Sequence, residues 1–348
     1  MVKSTGIQLF GYQPLQKINE LKYLFHIPKQ SINMKLIIRF LFICLFVLPT
    51  LSWTSPYKLI VHEKTQNFDS IPKRLENSLL WEISGKGIKK SYIFGTIHMI
   101  SANDFALSPK TQKCLKKAKK LVFEIDMSQA MIVSMKMLAM APMKDNKKLS
   151  DLLSEDDYNL VKNYFTKETE SAELKVLPFS RIENWKPMLL QSFLYQDMIE
   201  GPVKAYEMEL LSIGQKQKKS FGGLETIEDQ IAVFEKIPYS DQAKALVEMI
   251  QEIKSGSDKS KNQFKELIAI YKLEDVDGMV EMSSEQFDDM ENGQEELLTK
   301  RNNKWIPKIA AMSKKESTFY AVGAAHLGGP DGVLRLLMKE GYTVKPLK

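Results

Sequence analysis

Cysteine is nearly missing from this chain. Of two in 348 residues, Cys44 falls in an apolar N-terminal stretch and Cys114 stands alone in the remainder, so no internal disulfide framework can form. The signatures of several common enzyme classes are missing too. There is no HExxH, no GxSxG, no P-loop and no GxGxxG, which removes the zincin, serine-hydrolase and nucleotide-binding readings in their standard forms. Excess charge is lacking once the N-terminus is set apart. The formal net charge is +6, but residues 1–52 hold six Lys/Arg and one Asp/Glu, which leaves 43 against 42 for residues 53–348. A near-neutral body excludes a nucleic-acid binder driven by bulk charge. No internal repeat of solenoid period is visible.

What is present has the composition of a globular protein, 44% hydrophobic and 26% charged. Residues 36–51, LIIRFLFICLFVLPTL, form one apolar run, preceded by Lys29 and Met34-Lys35 and ended near Pro49. Its uninterrupted part, Phe40 to Leu48, is nine residues. That suits the apolar region of a signal peptide and falls well short of the roughly 20 residues that span a bilayer. Export is therefore expected, to the periplasm or outside the cell, with Thr50 and Ser52 as the small residues at the cleavage site. An uncleaved anchor facing the periplasm, with membrane association through this segment, is the alternative. Met34-Lys35 makes an orthodox signal start, so residues 1–33 carry no weight in the fold. The division expected is a leader at 1–52, a tether at 53–78 and one domain at 79–348.

Short β-type runs occur at Ser91–Phe94, Lys120–Ile125, Lys218–Phe221, Ser317–Val322 and Tyr342–Val344. Thr226, three residues before Asp229 and followed by Ile227, Ile231 and Phe234, predicts a capped amphipathic helix. Another is expected from Pro330 through Leu337, with Gly341 just past its end. Strands alternating with helices predict an α/β fold: a central, mostly parallel sheet with flanking helices and a helical insertion over about 127–215 and 240–300.

The chain has four histidines, and His26 and His62 lie in the leader and tether. The other two share a context. His98 ends Tyr92-Ile-Phe-Gly-Thr-Ile-His98 and His326 ends Tyr320-Ala-Val-Gly-Ala-Ala-His326, each a strand followed by Gly-x-x-His. Both leave the carboxyl end of a strand, where ligands collect in open α/β sheets. Gly95 and Gly323 allow a sharp turn or a close approach of the backbone. One strand-end histidine is ordinarily structural, whereas two in one setting favour a divalent metal. Glu124 and Asp126 share a face of an apolar strand, and a buried glutamate needs a cation, a metal or an arginine. Glu225 ends a strand just before the capped helix, where it could also complement the helix dipole. Arg301-Asn302 lies in a polar helix, whose plain reading is a solvated face. Lysines 113, 116, 117, 119 and 120 read as another. Met127, Met131, Met135, Met137, Met140 and Met143 suit adaptable core or lid packing.

Taken in order, Trp81-Glu-Ile-Ser-Gly-Lys-Gly…Phe94-Gly-Thr-Ile-His98, Val122-Phe-Glu-Ile-Asp126, Gly223-Leu-Glu225-Thr, Leu298-Thr-Lys-Arg301-Asn302 and Val322-Gly-Ala-Ala-His326-Leu-Gly-Gly-Pro-Asp-Gly332 resemble the TraB/GumN family, relatives of the Tiki proteases. The resemblance covers residues 79–347. It implies an α/β core like that of the haem-binding ChaN-like proteins and the erythromycin-esterase-like enzymes, and a peptidase activity dependent on a divalent metal. By motif it makes His98 and His326 metal ligands, Glu124 a ligand or its orienter, Glu225 the base, and Arg301 with Asn302 an oxyanion or substrate clamp. Where the family has an Asp in a Gly-x-Asp segment, this chain reads Ala205-Tyr-Glu207-Met, with the acid on a longer arm.

The leading expectation is thus an exported metal-dependent hydrolase acting on a peptide or small molecule, with Zn, Mn and Co all open as the ion. A second reading is a haem or tetrapyrrole binder with a histidine as axial ligand and the Met-rich helix as a wall. A third is a non-catalytic protein of the cell envelope in which the polar cluster is a structural network.

Overall fold

The computed structural model describes residues 71–348, apart from 170, 200, 257–258 and 288–292. The leader, the apolar run 36–51 and most of the tether lie outside the described residues, as do Cys44, His26 and His62. Among the described residues no helix is long and apolar enough to cross a membrane.

The strands are β1 (Leu80–Ser84), β2 (Ser91–Thr96), β3 (Ile100–Ser101), β4 (Lys120–Ile125), β5 (Val203–Lys204), β6 (Ser220–Glu225), β7 (Thr318–Gly323) and β8 (Thr343–Pro346). Six of them form one sheet in the order β6-β4-β7-β2-β1-β8, while β3 and β5 make a separate ribbon. The pairs β4/β6, β4/β7 and β2/β7 are parallel, and β1 runs antiparallel to both β2 and β8. The fold is therefore mixed α/β with a six-stranded, mostly parallel sheet. Strands β2, β4 and β7 are buried along nearly their whole length, which is why their sequences are continuous apolar runs and not alternating ones. Trp81, Ile83, Ile93, Phe123, Phe319 and Tyr320 fill the core around them.

Helices α1 (Pro109–Lys117), α2 (Ala130–Met140), α3 (Glu155–Asn163), α4 (Pro187–Met198) and α5 (Tyr206–Lys216) fall between β2 and β6. Helices α6 (Ile227–Phe234), α7 (Tyr239–Lys254), α8 (Lys259–Lys272), α9 (Val276–Phe287) and α10 (Lys300–Lys315) connect β6 to β7, and α11 (Val333–Lys339) precedes β8. The helix-rich middle is thus where the sequence puts it. Thr226 caps α6 as expected: its hydroxyl accepts the Asp229 N–H and Asp229 accepts the Thr226 N–H.

Three elements differ from the sequence pattern. Strand β6 starts at Ser220 and not Lys218, because Lys218 takes a left-handed φ of 54° in the turn out of α5. It then runs through Gly222-Gly223, where a Cβ on Gly223 would lie 2.6 Å from the Asp126 amide nitrogen, so glycine is what lets β6 lie against β4. Helix α11 starts at Val333, after a turn in which a Cβ on Gly332 would sit 1.9 Å from the Gly328 carbonyl. The segment just before residue 79 is also bound to the domain. Leu75 is buried, its N–H donates to Asp277, and the carbonyls of Pro72 and Lys73 accept from Arg335.

Candidate active site

The parallel strands deliver their carboxyl ends to one edge of the sheet. Glu124 is the fifth residue of β4, Glu225 ends β6, His98 follows β2 by two residues, and His326 lies in the short turn after β7. In the β2/β7 pairing Gly95 stands opposite Val322 and Thr96 opposite Gly323, so the two Gly-x-x-His segments leave the sheet side by side. Gly95 is needed for that approach, since a Cβ there would meet Leu327 Cδ1 at 3.0 Å and Ala324 Cβ at 3.1 Å. Gly323 has an ordinary φ of −52°, so its role is also space and not strain. A Cβ on it would point among Glu124 Oε1 at 3.2 Å, His326 Cδ2 at 3.5 Å and His98 Nε2 at 3.8 Å.

Two helix starts complete the cluster. Arg301 and Asn302, in the first turn of α10, are drawn in, and Asn302 is 2% exposed where the plain sequence reading has a solvated face. Glu207, in the first turn of α5, arrives because the ribbon pairs Ile100 with Lys204 and Ser101 with Val203, tying the His98 loop to the residues before α5. The site residues expected from the sequence, His98, Glu124, Glu225, Arg301, Asn302 and His326, all meet here.

Arg301 is at the centre. Its Nη2 donates to Glu124 Oε2 at 2.6 Å and to Glu225 Oε1 at 2.6 Å, and its Nε lies 3.1 and 3.2 Å from the two oxygens of Glu225. Its Nη1 donates to the Leu297 carbonyl at 2.9 Å and to His326 Nε2 at 3.1 Å. Every N–H of the guanidinium thus has an acceptor. Burial, which lowers an arginine, is outweighed by the charges of Glu225 and Glu124, so its pKa rises further.

The tautomer of His326 follows from its neighbours. An arginine N–H on Nε2 makes that nitrogen the acceptor, so Nδ1 carries the proton and donates to Asn302 Oδ1 at 2.6 Å. The Asn302 amide nitrogen donates to the Asp331 carbonyl, so this side chain is engaged at both ends in orienting His326. Burial first, and Arg301 next, push the His326 pKa down to about 3, with Glu124 opposing. The ring is neutral at ordinary pH and packs on Trp305, with ring centroids 4.4 Å apart. His98 is the opposite case. Its Nδ1 lies 3.0 Å from Glu207 Oε1, which also accepts the Thr96 hydroxyl at 2.7 Å. Burial lowers it, but the charge and hydrogen bond of Glu207 outweigh burial and its pKa is raised. Glu207 therefore has a definite place despite its longer arm, and its buried Oε2 has no hydrogen-bond partner among the described residues.

Glu124 accepts the Gly323 N–H at 2.7 Å on one oxygen and Arg301 and Gln230 on the other. Burial raises a carboxyl, but His326, Arg301, His98 and the Gly323 N–H together bring Glu124 down to about 2. Glu225 accepts from Gln230 at 2.7 Å, from the Trp305 indole at 3.2 Å and from Arg301. Gln230 and Trp305 do not stand out in the sequence. The available signal is an amide between Ile227 and Ile231 on the buried face of α6, and a tryptophan one turn beyond Arg301. Asp126, by contrast, turns away from the cluster: it caps the turn after β4, accepting the Ser128 N–H at 3.0 Å. In the Met-rich segment, Met127, Met137 and Met143 are buried, while Met131 and Met135 are 55% and 54% exposed on α2.

The metal ion that the resemblance implies can be tested against these donors. In kind they suit one: two imidazoles, each with Nδ1 held by an acceptor, and a carboxylate. In arrangement they do not. His326 Nε2 and Glu124 Oε1 are 3.8 Å apart with the guanidinium bound to both side chains. Among the described residues no group of three His, Cys, Asp or Glu side chains is placed to hold a metal ion.

Comparison with known proteins gives a consistent placement. The TraB/PrgY/gumN family matches residues 79–346. Metalloprotease TIKI2 of Danio rerio is 22% identical over 82% of this chain and 64% of its own length. Metalloprotease TIKI2 of Xenopus tropicalis is 22% identical over 88% and 67%, and metalloprotease TIKI1 of Homo sapiens 23% identical over 81% and 64%. The chain thus spans about two thirds of the length of these curated relatives. No solved structure matches it.

Proposed function

The chain belongs to the TraB/PrgY/gumN family, and from that premise we propose that it is an exported hydrolase of amide bonds, a peptidase of the metal-dependent kind for which its relatives are named. The observation that carries the proposal is the gathering at one sheet edge of buried Glu124, Glu207, His98 and His326 with the largely covered side chains of Glu225 and Arg301, drawn from four strand ends and two helix starts. Charge is expensive to bury, and a charged network at the carboxyl edge of a parallel sheet is where this architecture does chemistry. In the same reading the core is kin to the ChaN-like and erythromycin-esterase-like folds, and residues 36–51 direct export or anchor the chain to a membrane.

The residues divide the work as follows. A water attacks the carbonyl carbon and gives its proton to Glu225. The developing oxyanion is met by Arg301, and the amine leaves with the proton returned by Glu225. In the arrangement described, Glu225 and Arg301 satisfy each other, so both roles open together when the guanidinium turns from the carboxylate to the substrate oxygen. Asn302 keeps His326 in one tautomer, and Glu207 does the same for His98. The relatives' names bring a divalent ion to this chain as part of the proposal, with His98, Glu124 and His326 as the residues for it; in their present arrangement they do not accommodate it.

The experiment is peptide-library cleavage by the purified full chain with Zn²⁺, Mn²⁺ or Co²⁺, read by mass spectrometry beside Glu225→Gln. Metal-dependent cleavage that falls roughly 10²–10⁴-fold in the variant supports the reading. No cleavage of any peptide overturns it, and a Soret band in the purified protein supports the tetrapyrrole alternative instead.

A further inference from the structure

We propose that the cavity of about 650 Å³ between α8 and the turn that follows His98 is a specificity subsite, which seats an apolar side chain of a peptide while Lys265 holds a neighbouring carboxylate. This inference rests on the reading of the cluster as a peptidase centre, and it adds the class of peptide taken: an apolar residue beside an acidic one.

The chain itself places the cavity beside the cluster. Ser101, on one wall, is three residues beyond His98, so their Cα atoms are at most about 11 Å apart. The opposite wall is α8, and two tyrosine contacts fix it there. The Tyr271 hydroxyl donates to the Gly95 carbonyl at 3.0 Å, at the start of the Gly-x-x-His segment that ends in His98. The Tyr271 ring also meets that of Tyr206, with centroids 5.7 Å apart, and Tyr206 is the residue before Glu207. With Leu267 and Tyr271 buried, α8 is held against the core by one side and lines the cavity with another.

The lining defines what the cavity can take. Residues four apart on a helix stand above one another, so Phe264 and Ile268 form one row on the cavity wall, and Lys265, Ala269 and Leu273 form the next. Ile199, just past α4, adds to the apolar side. Leu273 is 66% exposed, and an occupant that covers it removes apolar surface from water. The charges on the wall do not cancel. Lys265 and Lys272 stand against one acid, Asp104, and Lys272 is the lysine paired with it. Among the described residues Lys265 has no ion-pair partner. One cation is therefore left for an occupant, and its complement is a single carboxylate. An apolar wall with a few placed polar groups, in a volume within roughly 300–1,000 Å³, is the usual make-up of a ligand site.

The test uses the full chain and three N-acetyl tetrapeptide amides, with glycine at both ends and aspartyl-leucyl, lysyl-leucyl or aspartyl-seryl in the middle. Affinity is read from the broadening of the peptide resonances by nuclear magnetic resonance, so no cleavage is needed. Wild type should bind the aspartyl-leucyl peptide at least about fivefold more tightly than either of the others. Lys265→Glu should reverse the charge preference, so that the lysyl-leucyl peptide binds better. Ala269→Trp, which fills the cavity from an exposed helix position, should weaken the aspartyl-leucyl peptide at least about tenfold with a melting temperature within about two degrees of wild type. Should Ala269→Trp melt lower than that, Lys265→Glu, an exposed charge change, decides alone. Equal binding of the three peptides by wild type, an acid preference that survives Lys265→Glu, or full affinity in a stably folded Ala269→Trp overturns the proposal. Selective binding without cleavage refutes the peptidase assignment alone, and cleavage of a peptide library with no preference for acidic-apolar pairs refutes this subsite alone.

Discussion

Replacing Glu124 with glutamine should destabilise the protein strongly at neutral pH and much less in acid. The carboxylate is 5% exposed and accepts on both oxygens: Oε1 from Gly323, Oε2 from Arg301 and Gln230. An amide cannot copy this, because whichever way it is turned its NH₂ faces a donor. The loss also leaves Arg301 buried with Glu225 as its only carboxylate partner. The magnitude follows from linkage. The folded protein holds Glu124 at about 2 against an ordinary 4.5; at about 1.4 kcal/mol per pH unit that is at most about 3 kcal/mol at pH 7, because His326, whose charge contributes to the depression, is neutral there. Because the folded value is depressed, this contribution is present above about 4.5 and is lost as pH falls through about 2. Urea unfolding of Glu124→Gln and wild type should therefore differ by about 3–5 kcal/mol at pH 7. The gap should shrink by about 2 kcal/mol at pH 3. A difference under about 1 kcal/mol at pH 7, or a large one that does not narrow in acid, would refute the assignment of Glu124 as an ionised partner of Arg301.

Gly323→Ala should cost only about 1 kcal/mol, since φ is ordinary and its one tight neighbour is a side-chain oxygen, yet reduce turnover at least tenfold by placing a methyl between the two histidines and Glu124; comparing its melting temperature with its activity checks this, and an active variant refutes the location of the site. Gly328→Ala should do the reverse and lower stability by more than about 3 kcal/mol, because its Cβ would lie 2.1 Å from the Val276 carbonyl oxygen and backbone must move; a melting temperature within two degrees of wild type contradicts it. Arg335→Met should destabilise by about 3–5 kcal/mol, since Arg335 and Asp277 form a buried pair at 2.6 Å that also anchors Leu75 and Gly329. Burial raises Asp277, but Arg335 and those two N–H groups bring it from 3.8 to about 2, so in wild type the stability it provides is present above 3.8 and lost as pH falls through 2. The Arg335→Met variant should show a smaller loss in acid unfolding curves, because the Leu75 and Gly329 N–H groups still favour the Asp277 carboxylate.

Much of this architecture is legible in the amino-acid sequence because the signals are local. The strands β2, β4 and β7 read as apolar runs, and the Thr226/Asp229 cap is a short-range motif. The repeated Gly-x-x-His at His98 and His326 puts two imidazoles at strand ends, and parallel pairing does the rest. Strand β1 escapes because Leu80–Ser84 is five residues with Glu82 in the middle and reads as neither a clear alternation nor a long run. The pairing of Glu207 with His98 escapes because it depends on a two-residue ribbon, β3 with β5, whose partners are about a hundred residues apart. Arg301 reads as surface for the same reason: on α10 alone it is a polar residue among lysines, and only the approach of β6 and β7 surrounds it with acids. Sequence spacing can bring a carboxylate and an arginine to the same edge, but it does not say that they will neutralise each other.

That mutual neutralisation bears on the proposed role of the network. Replacing a buried ion pair with apolar groups of similar volume often leaves stability unchanged or raises it, so stability alone does not explain buried Glu124, Glu207, His98 and His326, with the largely covered side chains of Glu225 and Arg301, beside a core built of Trp81, Ile83, Phe123 and Tyr320. The cluster also is not fully closed. Among the described residues Glu207 Oε2 has no hydrogen-bond partner, a defect that a purely structural network would be expected to lose. Two carboxylates share one guanidinium at the centre, and the arginine that balances them sits next to a π-helical turn. In the proposed reading the guanidinium serves the substrate oxygen as well as the carboxylates, and loss of peptide cleavage in Arg301→Lys without loss of melting temperature is the measurement that separates a reaction centre from a structural network.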